Sequence, residues 1–134
     1  MPESQSGLVA KVRAGRPLIV EKPWGRELIF AANSRFGGKI LEIRGGERLS
    51  LHLHRTKHEI FYVQRGRLTL WVGDNARQLD RLNLETGDTV DLPPGTIHRM
   101  ETADDTVLVE ASSPELNDIV RLEDDYGRED PTTS

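Results

Sequence analysis

The fold is decided by the stretch from Gly46 to Gly66, which reads GERLSLHLHRTKHEIFYVQRG. Its first part alternates leucine with polar residues, so a strand there sends His52 and His54 to one face and the leucines to the other. A polar face with two imidazoles, backed by leucines, suits a barrel wide enough to hold a ligand. Glu59 follows a turn-like RTK segment, after which a neighbouring strand brings its carboxylate beside the histidines. We expect His58 to face away from them or to lie at the rim.

A second segment, Gly87 to His98, reads GDTVDLPPGTIH and presents a further histidine just after a tight turn. We predict one site for a divalent metal ion, held by four side chains: His52, His54, Glu59 and His98. Imidazole and carboxylate ligands suit Zn, Mn, Fe, Co or Ni. The chain has no cysteine, which excludes disulfides and thiolate ligands. Four protein ligands either close a tetrahedral site or leave two positions open on a six-coordinate ion, as substrate binding requires.

The rest of the chain reads as short strands separated by glycine- and proline-rich turns. Ten strands are predicted, with no long amphipathic helix, which indicates an all-β barrel or sandwich. They are Leu18–Val20, Arg26–Phe30, Lys39–Ile43, Leu49–His54, Ile60–Val63, Leu68–Val72, Gln78–Leu84, Thr89–Leu92, His98–Glu101 and Thr106–Ala111. A short C-terminal helical turn is predicted over Pro114–Val120, with Ser113 as its cap.

Length and composition bound the function. The 134 residues suit one domain, predicted at 18–128 between a flexible N-terminal arm at 1–17 and a disordered tail at 129–134. The net charge of -4 argues against a nucleic-acid partner. No apolar run reaches the ~20 residues of a membrane span. The first residues lack the apolar region of a signal peptide, so a cytoplasmic location is expected.

The two segments around the predicted metal ligands resemble the two motifs of the cupin superfamily. The first fits G-x5-H-x-H-x4-E-x6-G, and the second fits G-x5-P-x-G-x2-H. The asparagine that closes the second family motif is Thr102 here, and that position is not a metal ligand in the family pattern. The resemblance implies a double-stranded β-helix, or jelly roll, with the metal ion inside the barrel.

Three further stretches resemble the C-terminal cupin domain of type II mannose-6-phosphate isomerases. They are Val20–Arg26 (VEKPWGR), Gly46–Leu51 (GERLSL) and Asp118–Arg128 (DIVRLEDDYGR). The resemblance implies metal-dependent exchange between an aldose phosphate and a ketose phosphate. Members of that family often carry glutamine where this chain has His52, so the predicted ligand set is closer to that of other cupins.

Isomerisation needs a base beside the metal ion, because a proton must move between two carbons. Glu110 and Lys39 are the candidates, from their inward parity and their resemblance to family positions. A substrate phosphate needs cations at the barrel mouth, for which the candidates are Arg48, Arg99, Lys22 and Arg26. The expected partners are therefore a sugar or sugar phosphate and, by pairing of an N-terminal strand within Leu18–Phe30, a second copy of the chain in a homodimer.

Two other functions remain open at this level, because one fold hosts many chemistries. The same ligands serve a free-sugar isomerase or an iron dioxygenase. Alternatively, the domain binds a sugar or another metabolite without catalysis. Chelator-sensitive turnover, oxygen consumption, and ligand-induced stabilisation without product separate these possibilities.

Overall fold

The structure is a computed structural model that describes residues 11–128 and residue 130. Eleven strands form this part of the chain: β1 (Leu18–Lys22), β2 (Gly25–Ala32), β3 (Gly37–Ile43), β4 (Leu51–Leu53), β5 (Glu59–Arg65), β6 (Arg67–Asn75), β7 (Gln78–Glu85), β8 (Thr89–Leu92), β9 (Ile97–Glu101), β10 (Thr106–Ser112) and β11 (Val120–Glu123). The first ten correspond to the ten predicted strands. The predicted arm and tail lie largely outside the described residues, and residues 12–17 have no regular secondary structure.

The strands form two antiparallel sheets. One has the order β1-β2-β3-β10-β5-β8, and the other has the order β11-β4-β9-β6-β7. Consecutive strands are repeatedly assigned to different sheets, so the chain crosses between the sheets as it does in a jelly roll. The predicted all-β fold is confirmed.

The predicted helical turn over Pro114–Val120 was wrong. The segment contains isolated turn bonds, such as the one from the Leu116 amide to the Pro114 carbonyl, and then enters β11, where Val120 lies opposite Leu53. The amides of Asp118 and Ile119 donate to the carbonyls of residues three and two positions back, so the i to i+4 bonds of a helix do not form here. Within the described residues, no helix has the length and apolar character to cross a bilayer.

The interior of the barrel is polar at one end and apolar at the other. Strand β10 shows the change, since Glu110 lies opposite Lys39 of β3, whereas Leu108, two residues earlier, lies opposite Leu41. Leu108 has no exposed surface, and the apolar layer continues into a single core cluster. This cluster contains Trp24, Leu41, Ile43, Leu49, Phe61, Val63, Leu68, Leu70, Leu92, Met100 and Leu108. The polar end is therefore supported from below by a rigid apolar floor.

The backbone conformation explains why the motif positions carry glycine. The four motif glycines, Gly46, Gly66, Gly87 and Gly95, all have φ between 82° and 98°. That left-handed region is open to glycine and costly for most other residues. At Gly66 a Cβ atom would also lie 2.6 Å from the Asp105 carbonyl oxygen, so no side chain fits there. These turns fix where β5 ends and where β9 begins.

Candidate metal centre

The predicted ligands meet at the polar end of the barrel, between the two sheets. His52 of β4 lies opposite His98 of β9, and His54 follows directly after β4. One ring nitrogen from each histidine lies within 4.8 Å of the others. Glu59 comes from the facing sheet, and its Oε2 lies 2.9 Å from His54 Nε2 and 3.3 Å from His98 Nε2. His98 and Glu59 are almost completely buried.

The Nδ1 atom of each imidazole is held by a backbone carbonyl. His52 Nδ1 lies 3.0 Å from the Ser50 carbonyl, His98 Nδ1 lies 3.0 Å from the Thr96 carbonyl, and His54 Nδ1 contacts the Asp118 carbonyl. A neutral imidazole whose Nδ1–H donates in this way presents a lone pair at Nε2. Burial, together with the nearby His98 and His54, also holds the pKa of His52 well below its ordinary value. The three rings are thus oriented as metal ligands.

The electrostatics of Glu59 fit a divalent ion. Its buried Oε2 has no hydrogen-bond partner among the described residues, although it faces two imidazole nitrogens. If those nitrogens carry lone pairs, the arrangement needs a positive charge between them. Burial raises the pKa of Glu59, but the ammonium of Lys57, 3.2 Å from Oε1, lowers it, as would a cation at Oε2. Glu59 is therefore a carboxylate, and three imidazoles with one carboxylate suit a first-row transition metal.

A second buried carboxylate, Glu110, lies beside this cluster. Lys57 bridges the two, with Nζ 3.2 Å from Glu59 Oε1 and 2.9 Å from Glu110 Oε2. Burial raises the pKa of Glu110 and outweighs the opposing effect of Lys57. Burial lowers the pKa of Lys57, but the two carboxylates outweigh this and raise it, so Lys57 is an ammonium. Both predicted base candidates face the interior: Glu110 is 3% exposed, and Lys39, 7% exposed, binds Glu27 at 3.3 Å.

A cavity of about 620 Å³ connects the cluster to solvent. Its lining includes all four predicted metal ligands, both base candidates and Lys57. Three cations also line it: Lys22 of β1, Arg121 of β11, and Arg128. Burial lowers the pKa of Lys22, Glu27 raises it, and the charges of Lys39, Arg121 and Arg128 lower it further, so these cations lie near one another on this side of the cavity.

The other three predicted substrate cations lie outside the cavity lining. Arg26 pairs with Glu42. Arg48 is exposed and binds the carboxylate of Asp125, with Nη2 2.6 Å from Oδ1. Arg99 is buried, but its Nε donates to the Leu49 carbonyl at 2.9 Å and its guanidinium faces Asp125. Arg48 and Arg99 therefore fasten the C-terminal segment to the barrel and do not point at the site.

His58 lies outside the cluster, as predicted. It is exposed, and its Nε2 contacts Asp91 on the neighbouring strand β8. Sequence reasoning missed the position of Lys57, because a loop residue has no strand parity from which to read its direction. It also missed the contacts of Asp118, which sequence analysis included only as part of the stretch Asp118–Arg128 that resembles the isomerase family.

Asp118 fixes the loop that carries Lys57. Its Oδ2 accepts from the Thr56 amide at 2.7 Å, from the Thr56 hydroxyl at 2.9 Å and from the Lys57 amide at 2.9 Å. These hydrogen bonds, the backbone ones first, hold the pKa of Asp118 well below its ordinary value of 3.8. The ionised side chain thus stabilises the folded state, through a contact that lies directly beside the site.

We expect Asp118→Asn to lower the free energy of unfolding by about 1 kcal/mol at pH 7, since hydrogen bonds to a charged acceptor are weakened. A carboxylate whose pKa is depressed on folding stabilises above its unfolded pKa, and this is lost as the pH falls through the folded pKa. The difference between the wild-type protein and the variant should therefore shrink below about pH 4. Urea unfolding at pH 7 and pH 3 measures it. A difference that stays constant between these two pH values would contradict this account.

The comparisons with known proteins agree with the fold. A family model described as a cupin domain matches residues 39–111, which is more than half of the chain. The protein belongs to the cupin family. The capsular polysaccharide assembling protein CapF of Staphylococcus aureus has a similar fold, with a TM-score of 0.70 and 21% identity over 82% of this chain and 32% of that one.

Two curated relatives share this region. Mannose-1-phosphate guanylyltransferase ManC of Salmonella typhimurium strain LT2 is 28% identical over 114 residues. The xanthan biosynthesis protein XanB of Xanthomonas campestris pv. campestris strain B100 is 31% identical over 114 residues. Each match covers 81% of this chain, and the chain spans 23% of the length of each relative.

Proposed function

We propose that this cupin is a metal-dependent isomerase that interconverts an aldose phosphate and the corresponding ketose phosphate, of the mannose-6-phosphate isomerase type. The observation that carries the proposal is the placement of a buried carboxylate, Glu110, in the same cavity as three inward imidazoles and Glu59. Aldose–ketose exchange needs a base and a bound cation. The cation polarises the hydroxyl and carbonyl oxygens of the substrate, while the base moves a proton between the two carbons that carry them.

The residues of the site have two roles, which are metal binding and proton transfer. His52, His54, His98 and Glu59 would hold the ion, which supplies Lewis acidity to the hydroxyl and carbonyl oxygens of the sugar. Glu110 takes the proton from the carbon that bears the hydroxyl and, after exchange with solvent, returns a proton to the former carbonyl carbon of the enediolate. The hydroxyl proton passes from its own oxygen to the former carbonyl oxygen, so the atoms balance. Its raised pKa suits this task, since a stronger base abstracts a carbon-bound proton more readily. Lys39 is the alternative base, although its ion pair with Glu27 occupies it.

The phosphate would bind the cations at the cavity mouth. Lys22 was expected in this role; Arg121 also lines the cavity, and so does Arg128, which is paired with Asp124 at 2.8 Å. Arg121 has a buried Nε without a hydrogen-bond partner among the described residues, so a ligand oxygen would satisfy it. A sugar phosphate is also the substrate class in the name of the relative ManC.

The test is isomerisation of mannose 6-phosphate in deuterium oxide, followed by NMR. Protein purified with its native metal should form fructose 6-phosphate and incorporate deuterium at the carbon that receives the proton. Treatment with a chelator should abolish both signals, and one equivalent of Mn²⁺, Zn²⁺, Co²⁺, Ni²⁺ or Fe²⁺ should restore them. Turnover that survives in metal-free protein would eliminate the proposal, and so would the absence of deuterium exchange with every sugar phosphate tested.

We further propose that the protein is a homodimer built on the hairpin of β1 and β2. Strand β1 is the free edge of the six-stranded sheet, and Leu18, Ile19 and Phe30 are more than half exposed. Exposed apolar residues on a sheet edge favour pairing with another strand. Light scattering coupled to size exclusion measures the mass directly, and a monomeric mass would contradict this proposal.

A further inference from the structure

Lys57 is buried at the centre of the site, where an ammonium is costly unless it is paired. Its side chain is 3% exposed, and it contacts two buried carboxylates, those of Glu59 and Glu110. A buried charge is tolerated only when it is paired, so these contacts fix the position of the lysine. The proposed chemistry uses both carboxylates and leaves the lysine without a task.

The two carboxylate oxygens of Glu59 contact different partners. Oε2 faces His54 Nε2 at 2.9 Å and His98 Nε2 at 3.3 Å, on the side where the ligand nitrogens converge. Oε1 lies on the other side, 3.2 Å from Lys57 Nζ. One oxygen is therefore available to an ion, and the other is occupied by an ammonium.

We infer that Lys57 is a positioning residue that restricts Glu59 to binding the metal ion through one oxygen, and thereby keeps a coordination position free for substrate. The inference rests on the metal site of the proposed function. Carboxylates bind metal ions through one oxygen or two, and the choice depends on what else the second oxygen contacts. Turning Oε1 towards the ion would remove one of the two carboxylate partners of a buried ammonium, which is costly.

The lysine is held firmly enough to enforce this restriction. Asp118 accepts hydrogen bonds from the amides of Thr56 and Lys57, so the backbone at the base of the side chain is clamped. Glu110 holds the other end of the side chain at 2.9 Å. Because both ends are held, Lys57 cannot follow Glu59 if the carboxylate turns.

The experiment counts the water molecules on bound Mn²⁺ by water-proton relaxation, using the full chain loaded with Mn²⁺ alone. In Lys57→Met the second oxygen of Glu59 is released and should join the ion, in place of a water molecule. We expect the relaxation enhancement per bound Mn²⁺ to fall by roughly half, from two open positions to one. Mn²⁺ should bind at least as tightly as in the wild-type protein, because a nearby positive charge is lost. Titration followed by electron paramagnetic resonance measures this affinity.

Lys39→Met is the matched control, since it removes another buried lysine of the same cavity whose ion pair is with Glu27. Its relaxation enhancement should equal that of the wild-type protein. Lys57→Gln, whose shorter amide does not reach both carboxylates, replaces Lys57→Met if the methionine variant does not fold.

Equal relaxation in the Lys57 variants and the wild-type protein would overturn the inference, and so would loss of Mn²⁺ binding in those variants. If the wild-type protein binds no Mn²⁺, the inference and the metal site fall together. If relaxation changes as expected while no sugar phosphate is isomerised, the role of Lys57 stands and the proposed reaction falls.

Discussion

His54→Ala is expected to weaken binding of the metal ion by more than about 100-fold, since loss of even an indirect partner of a metal ligand typically costs 10–100-fold. His54 is the predicted ligand whose Nε2 lies nearest to Glu59, at 2.9 Å compared with 3.3 Å for His98, and its Nδ1 contacts the Asp118 carbonyl. Isomerase activity should fall with the metal content. The stabilisation by metal should vanish as well, and this amounts to about 2.7 kcal/mol for wild-type protein at a ligand concentration of 100 times Kd.

His58→Ala is the matched control for that variant. His58 lies four residues further along the chain, but it is exposed and contacts Asp91, away from the cavity. Its replacement should leave the metal content and the metal-dependent rise in melting temperature unchanged. Elemental analysis and thermal unfolding with and without chelator measure both variants. Full metal content in His54→Ala would remove the basis of the proposed site.

Glu110→Gln is expected to lower kcat by about 10²–10⁴-fold, the usual contribution of a general base, while the metal content stays the same. Glutamine has nearly the same size as glutamate, and Lys57 keeps its ion pair with Glu59, so the cavity should keep its shape. The wild-type pH profile should show kcat/KM rising as the carboxyl loses its proton, at a pH above its ordinary value of 4.5, because burial raises the pKa of Glu110. This rising limb should disappear in the variant.

Lys39→Met and Glu27→Gln distinguish Glu110 from its alternative. Both change a cavity side chain of the neighbouring ion pair, which lies 3.3 Å apart. If Glu110 is the base, deuterium exchange at the substrate carbon should be lost in Glu110→Gln and retained in these two variants. Loss of exchange in Lys39→Met alone would assign the base to Lys39 instead.

Most strands of the barrel could be predicted from the sequence, because the signals that mark them lie within a few neighbouring residues. Alternation along each strand and glycine or proline between strands marked the ten strands, and the spacing of His52 and His54 placed two imidazoles on one face. The turns at the motif glycines could be recognised because their positive φ angles favour glycine. Expectation and structure agree wherever the side-chain direction follows from a period of two.

The prediction failed where long-range contacts decide. Strand β11 has only four residues, and it pairs with β4, which lies far earlier in the sequence. Arg48 was predicted at the barrel mouth, but strand β4 begins at Leu51, and Arg48 lies before it in an isolated bridge to Glu101. Lys57 belongs to the turn-like RTK segment, and nothing local in the sequence shows that Asp118 holds this loop against the site.

The apolar floor of the barrel limits how long a molecule the cavity admits. Trp24, Leu41, Leu49, Phe61 and Met100 form the inner end of the same cavity whose outer part carries the charged residues. In the proposed reaction, size selection would fall to the apolar layer and proton transfer to the charged layer above it. Trimming a floor side chain should let a longer molecule enter while the reacting groups above keep their spacing, so the chain length of the substrate can change independently of the reaction.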